Sequence, residues 1–297
     1  MPEADAVCAA CGARTERLHA VDGHVVARCG VCGLYVLHLD EARHDPSRLE
    51  RAEFEGALRD LRLENYAFIL HQLERDAPVV GRTLLDVGCS SGWFLEAAAR
   101  AGCVCYGIEP DAFFFDRART VVPSGVSLAH GYFPHDLPPS WPLFDLITFH
   151  DVFEHLPEPQ AMLRACLDRL APGGRLVLSL PSADGFAFRV ARALARLGAR
   201  GPLARVFQVH YPYPHLFYYT QRSVAELARR NHLAARIQRL RAFSSRGALH
   251  RARMDRTAGV LSGLRTYANA GALLLFASVE RALPADNVLV VLSRNAA

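Results

Sequence analysis

The stretch Thr83-Leu84-Leu85-Asp86-Val87-Gly88-Cys89-Ser90-Ser91-Gly92-Trp93-Phe94-Leu95 constrains this chain more than any other. Thr83 to Val87 is an apolar run with an acid near its end, the pattern of a buried parallel strand. Gly88 to Gly92 reads as a tight glycine turn. Trp93 to Arg100 reads as the helix leaving it, stopped by Gly102. A strand, a glycine turn and a helix start form a site for a nucleoside-bearing ligand at the carboxyl end of a parallel sheet. Glycines let backbone approach the ligand, and the helix start offers free N–H groups. A dinucleotide site would want G-x-G-x-x-G. Here the pattern is Asp86-x-Gly88-x-x-x-Gly92, and the acid before the turn suits a cationic amino-acid moiety better than a pyrophosphate.

A second strand, Cys103-Val104-Cys105-Tyr106-Gly107-Ile108-Glu109, also ends in an acid, at the offset where a carboxylate accepts hydrogen bonds from both ribose hydroxyls. Val126 to Ala129 is a short third strand, followed by the loop His130-Gly131-Tyr132-Phe133-Pro134. Phe144 to Phe149 is a fourth, buried strand, and His150, Asp151, Glu154 and His155 cluster on the loop at its carboxyl end. Pro157 to Pro159 start a helix that Pro172-Gly173-Gly174 stops, and Arg175 to Pro181 is the fifth strand. Ala234 to Phe243 and Asn287 to Ser293 read as the sixth and seventh.

Upstream, Cys8, Cys11, Cys29 and Cys32 form C-x2-C-x17-C-x2-C, the spacing of a four-thiolate zinc site. Two such knuckles give a closed tetrahedron, so the metal is structural. His19 to Arg28 reads as a hairpin turning at Asp22-Gly23. The other four cysteines, Cys89, Cys103, Cys105 and Cys166, read as small core residues. Ser47 to Asp76 reads as helix, in two pieces around Gly56. Phe186 to Leu197 is an arginine-laced amphipathic helix ended by Gly198 and Gly201-Pro202. Its face suits a lid, a membrane surface or an acidic partner. His210-Tyr211-Pro212-Tyr213-Pro214-His215-Leu216-Phe217-Tyr218-Tyr219-Thr220 is an aromatic strip that either lines a substrate pocket or plugs the core.

The blocks Leu84 to Gly92, Phe144 to Ile147, Asp151 to Leu156 and Leu170 to Leu176 resemble class I S-adenosylmethionine-dependent methyltransferases, most of all the branch of ubiquinone-biosynthesis and natural-product enzymes. In that family a glycine usually stands where this chain has Ser90. The resemblance implies an α/β fold: a doubly wound seven-stranded sheet, mostly parallel with the last strand antiparallel, behind a small N-terminal four-cysteine zinc ribbon. It divides the chain into a ribbon at 1–40, a linker and N-terminal helices at 41–80, and a methyltransferase domain at 81–297. Helical insertions are expected near 182–209 and 244–286. It implies S-adenosylmethionine held by Asp86, Gly88, Cys89, Gly92, Glu109, Tyr132, Phe133 and His150, and catalysis by His155, His215 or His150. In the same branch an acid-x-x-Glu-His pattern goes with a divalent metal, here Asp151, Glu154 and His155.

All 34 basic residues are arginine, and the net charge is only +4. With so much alanine this reads as genomic bias rather than a nucleic-acid footprint. The expected acceptor is therefore a small molecule, such as a phenol, sugar or secondary-metabolite intermediate. The rivals are an RNA methyltransferase gripping RNA through the ribbon, and a non-catalytic cofactor-binding module. Against RNA, the hairpin has only Arg14, Arg17 and Arg28 as basic residues, where a basic stripe is usual. No signal peptide and no spanning apolar run are read, which points to the cytoplasm. No feature specifies an oligomeric state.

Overall fold

The computed structural model describes residues 7–40, 51–242 and 279–295. The chain opens with strands β1 (Thr15–Val21), β2 (His24–Cys29) and β3 (Tyr35–His38). Asp22 and Gly23 both have positive φ, 48° and 88°, which is the two-residue turn that matches the twist of an antiparallel pair. The anticipated hairpin is therefore present. The linker expected at 40–46 lies, Asp40 apart, outside the described residues.

Helix α1 (Arg51–Asp76) runs unbroken through Gly56, where two pieces were expected. One glycine costs about 1 kcal/mol in a helix, which burial of Ile69 and Leu73 further along the same helix outweighs. The elements that follow are β4 (Thr83–Val87), α2 (Trp93–Arg100), β5 (Val104–Glu109), α3 (Ala112–Val121), β6 (Ser127–His130) and β7 (Phe144–His150). Then come α4 (Pro159–Arg169), β8 (Leu170–Pro181), α5 (Phe186–Arg196) and α6 (Gly201–Val206). The chain closes with β9 (Phe217–Tyr218), α7 (Gln221–Arg230), β10 (Leu233–Leu240) and β11 (Asn287–Arg294).

Seven strands form one sheet in the order β10-β11-β8-β7-β4-β5-β6. β4 pairs in parallel with both β5 and β7, and β11 runs antiparallel to β8 and β10. Strand order reverses at β4, so the carboxyl ends of β4, β5 and β7 flank a crevice, the place where such sheets bind ligands. Alternate residues of β11 show why the sheet is buried on both faces. Val288, Val290 and Leu292 pack into one core, Leu289 and Val291 into the other.

Two local expectations differ. Gly201-Pro202 starts α6 rather than merely ending α5, because proline fits the first turn of a helix. β8 begins already at Leu170. Phe144 pairs with Leu170 but Leu146 with Arg175, so Ala171 to Gly174 form an irregularity inside the strand. Helices expected within 244–286 fall mostly outside the described residues. Among the described residues, no helix is long and apolar enough to cross a membrane.

A second sheet, β1-β2-β3-β9, carries the consequence that local sequence did not announce. β9 lies far downstream of β3 yet pairs with it, Tyr35 opposite Tyr218 and Val36 opposite Phe217. Val21, Val26, Tyr35 and Leu37 share a core with Phe188, Phe207 and Tyr218. The N-terminal segment is thus built into the main body.

Gly107 sets the spacing between β5 and α2. A Cβ there would lie 2.4 Å from Leu95 Cδ1, 2.9 Å from Leu128 Cδ2 and 3.0 Å from Cys89 Sγ. Three separate elements would have to yield. Gly107→Ala is expected to lower stability by about 1–3 kcal/mol, read as a shifted urea midpoint; an unshifted midpoint would contradict the close packing of β5.

Candidate active site

The turn after β4 takes its shape from three residues of positive φ: Gly88 at 69°, Ser90 at 49° and Gly92 at 78°. A Cβ at Gly88 would meet Val152 Cγ2 at 2.8 Å. Ser90 holds the left-handed conformation without being glycine, at a cost of about 1–2 kcal/mol. Its backbone N–H donates to Glu109 Oε2 at 2.7 Å. Glu109 Oε1 accepts from Asp111 N–H at 2.9 Å, so each carboxylate oxygen is fixed by one backbone donor.

Asp86 is 2% exposed, and its Oδ1 accepts from Thr148 Oγ1 at 2.7 Å. Burial, with help from the nearby charge of Glu109, pushes its pKa up to about 8 against the pull of Thr148. Burial likewise raises Glu109, opposed by its two backbone hydrogen bonds. Both acids stand on the wall of a cleft of about 1510 Å³. Gly88, Cys89, Tyr132, Phe133 and His150 line the same cleft.

Gly92, expected beside them, is not among the lining residues. A Cβ there would lie 2.6 Å from Val122 Cγ1, so its lack of a side chain serves the contact of the turn with the end of α3. The Tyr132 loop is closed by Asp136. Its Oδ2 folds back to accept from Tyr132 N–H at 2.8 Å.

The rim loop after β7, which lines the same cleft, departs from expectation twice. His150 is wedged between Phe94 and Tyr66, with ring centroids 4.0 Å and 5.2 Å away. Burial, then the charge of Arg62, holds its pKa down to about 3. Its Nδ1 lies 2.9 Å from Ser179 Oγ, and its Nε2 has no hydrogen-bond partner among the described residues. Burial thus disfavours the charged form of His150, as it does for His155 and His215. Asp151 turns away, its carboxylate 3.4 Å from Arg62 Nε. The expected trio of Asp151, Glu154 and His155 is therefore not formed.

Glu154, His155 and His215 form the trio instead, one ligand atom of each lying within 4.8 Å of the others. His155 Nδ1 lies 2.8 Å from the carbonyl of Pro214, which can only accept, so Nδ1 carries the proton and Nε2 the lone pair. Tyr218 donates its hydroxyl proton to Val206 O at 3.0 Å, leaving its oxygen to accept from His215 Nδ1 at 3.3 Å. His215 Nε2 then faces Glu154 Oε1 at 3.9 Å. Glu154 Oε2 is buried without a hydrogen-bond partner among the described residues. Burial lowers both histidines and raises Glu154 well above the usual carboxylate range. The long stretch of chain between them hid His215 from any local motif involving Glu154.

The four N-terminal thiols also meet. Cys8 Sγ and Cys32 Sγ are 3.5 Å apart, Cys11 Sγ and Cys29 Sγ 3.4 Å, and one group holds all four. That is far beyond a disulfide bond of about 2.05 Å and near the roughly 3.8 Å between thiolates sharing a tetrahedral zinc. Gly12 and Gly33, at φ 78° and 79°, close the two knuckles by donating N–H to Cys8 O and Cys29 O. The donor set fits a closed structural zinc site.

A model of the methyltransferase domain family matches residues 57–236. The ubiquinone biosynthesis O-methyltransferase of Xanthomonas euvesicatoria pv. vesicatoria (strain 85-10) is 35% identical over 153 residues, covering 49% of this chain and 61% of that protein. The enzyme of the same name from Sodalis glossinidius is 32% identical over 130 residues, 43% of this chain and 52% of that protein. The match thus spans between half and two thirds of these relatives. Among solved structures, the magnesium protoporphyrin IX methyltransferase of Synechocystis PCC 6803 with bound SAH superposes at a TM-score of 0.52. It is 14% identical and covers 83% of this chain and 89% of that one, a likeness of fold.

Between pH 4 and 8 the folded chain keeps a proton on Asp86 that the unfolded chain, at the ordinary value of 3.8, has released. The folded state binds more protons there, so this contribution is intact below pH 4 and wanes as pH rises to 8. Asp86→Asn is expected to gain on the wild type progressively between pH 5 and 8 in urea midpoint. Parallel curves would show Asp86 already ionised throughout.

Proposed function

The chain belongs to the methyltransferase domain family, and on that premise we propose that it methylates a hydroxyl oxygen of a small aromatic acceptor at the expense of S-adenosylmethionine. The observation that carries this reading is the cleft itself, lined both by the buried acids Asp86 and Glu109 and by the histidines His155 and His215.

The residues present fit the cofactor. Gly88 lines the cavity and packs its backbone against Val152, and Asp86 and Glu109 are buried acids on the same wall. Asp86 would hold the cationic amino group, Glu109 the ribose hydroxyls, and Tyr132 with Phe133 the adenine. The cofactor supplies an electrophilic sulfonium methyl. The protein's part is to align the acceptor oxygen with the methyl–sulfur bond and to take away one proton. His155 or His215 would take the acceptor's hydroxyl proton at Nε2 as its oxygen is methylated. Both rings are neutral near pH 7 because burial disfavours their charged form, and their Nδ1 bonds aim the lone pair inward.

A second reading has a specific observation behind it. Two inward lone pairs and the partnerless Glu154 Oε2 are also the donor set for a divalent cation. Such an ion would polarise the acceptor oxygen, and its binding would release the proton of Glu154. The group of four N-terminal cysteines is read as holding structural zinc.

Calorimetry with S-adenosylhomocysteine should show Glu109→Ala weakening affinity at least about 10-fold, the loss of a charge-assisted hydrogen bond. Unchanged affinity there and in Asp86→Ala would overturn the assignment. With a panel of catechols and phenols, His155→Ala and His215→Ala should cut turnover about 10²–10⁴-fold at constant cofactor affinity. Turnover unaffected in both would leave the fold with another chemistry. Mass spectrometry of the native protein should find one zinc per chain, lost in Cys29→Ser.

A further inference from the structure

The segment that carries His215 is held from two sides. Leu216 N–H donates to Glu154 O at 3.0 Å, and Leu216 O accepts from Leu37 N–H at 2.8 Å. One residue thus links the backbone beside the trio to β3. The next residues continue the contact, since Phe217 and Tyr218 pair with Val36 and Tyr35. Thr220 Oγ1 then donates to the carbonyl of Cys32, inside the second cysteine knuckle, at 2.8 Å. Ahead of His215, His210 Nε2 lies 2.8 Å from Asp22 Oδ2 at the ribbon's hairpin turn.

β9 is two residues long, too short to hold itself. Among the described residues its ladder partner is β3 alone, supplemented by one bridge from Tyr219 to Ser182. β3 follows directly from the Cys29–Cys32 knuckle. A short cysteine-closed segment owes its order chiefly to its metal, because so little apolar area is its own.

We propose that the four-cysteine ribbon is the positioning element of the acceptor end: through β3 it holds His215 in register with Glu154 and His155. Metal at the thiols is thereby coupled to the reaction trio and not to the cofactor wall. The Asp86 turn and the Glu109 strand end make no ribbon contact in the chain of bonds above. Leu37 and Thr220 are positioning residues, acting on His215 through backbone. The inference rests on reading the trio as the reaction end, but its structural arm does not.

The test compares full-length wild type, zinc-stripped wild type, zinc-reloaded wild type and Cys11→Ser by hydrogen-exchange mass spectrometry. S-adenosylhomocysteine calorimetry is run on each. Loss of zinc should speed exchange in peptides covering 15–38 and 214–220 together, at least about 10-fold, and reloading should reverse both. Peptides of 83–109 and inhibitor affinity should stay within about 2-fold. With a turned-over phenol in hand, kcat should fall at least about 10-fold at constant KM for the methyl donor. Exchange that rises in 15–38 alone would overturn the proposal, as would parallel loss of inhibitor affinity. Should Cys11→Ser not fold, the stripped and reloaded wild type decides. Failure of the methyl-transfer reading would show instead as Glu109→Ala and Asp86→Ala without effect on inhibitor binding, whatever the exchange result.

Discussion

The bond from Ser90 N–H to the Glu109 carboxylate joins the tips of two neighbouring strands, and the cleft depends on it. It couples two unfavourable states. Ser90 sits in a left-handed conformation that L side chains avoid, and Glu109 is an acid kept largely from water. Each is tolerable because of the other. The donor aimed at Glu109 exists only while Ser90 keeps its positive φ, and the carboxylate fixes that φ. Once β4 and β5 are locked at their ends, the turn places Gly88 against Val152, and the glycine-lined wall follows.

What could be read in the sequence is what is local. Asp86, Gly88 and Glu109 sit at offsets set by strand and turn geometry, so a few residues carry the information. The two C-x2-C knuckles are equally self-contained. His215 beside Glu154 is a different matter, because no periodicity spans so long a stretch and only the path of β9 brings them together. Asp151 departs from its expected place for a related reason. Its partner Arg62 comes from α1, whose facing is decided by burial of Ile69 and Leu73 rather than by the rim loop. His150 was legible as a position but not as a chemistry, since its state is set by Phe94 and Tyr66. Gly92 belongs to the expected turn, and its lack of a side chain also makes room for Val122.

The ribbon shows how a strong motif can be read correctly in its ligands and incompletely in its role. Spacing specifies where four sulfurs go, but says nothing of the free edge that a three-stranded sheet must cover. An exposed edge strand is a liability, and here the chain covers it with its own later segment. That solution ties the small four-cysteine unit to the segment that carries His215.

The electrostatics of the cleft follow from one cause acting on groups of opposite sign. Exclusion from water favours the uncharged form, so Asp86 is driven up to about 8 and His150 down to about 3. Glu154, His155 and His215 shift in the same two senses. Near pH 7 this arrangement keeps formal charge low along the walls. A cationic ligand changes that balance, because a positive charge beside Asp86 favours its carboxylate and offsets part of the burial cost. By the same electrostatics a neutral neighbour would leave Asp86 protonated near pH 7. The histidine end is kept neutral by the same burial, so a proton placed there bears the desolvation cost that otherwise keeps it off.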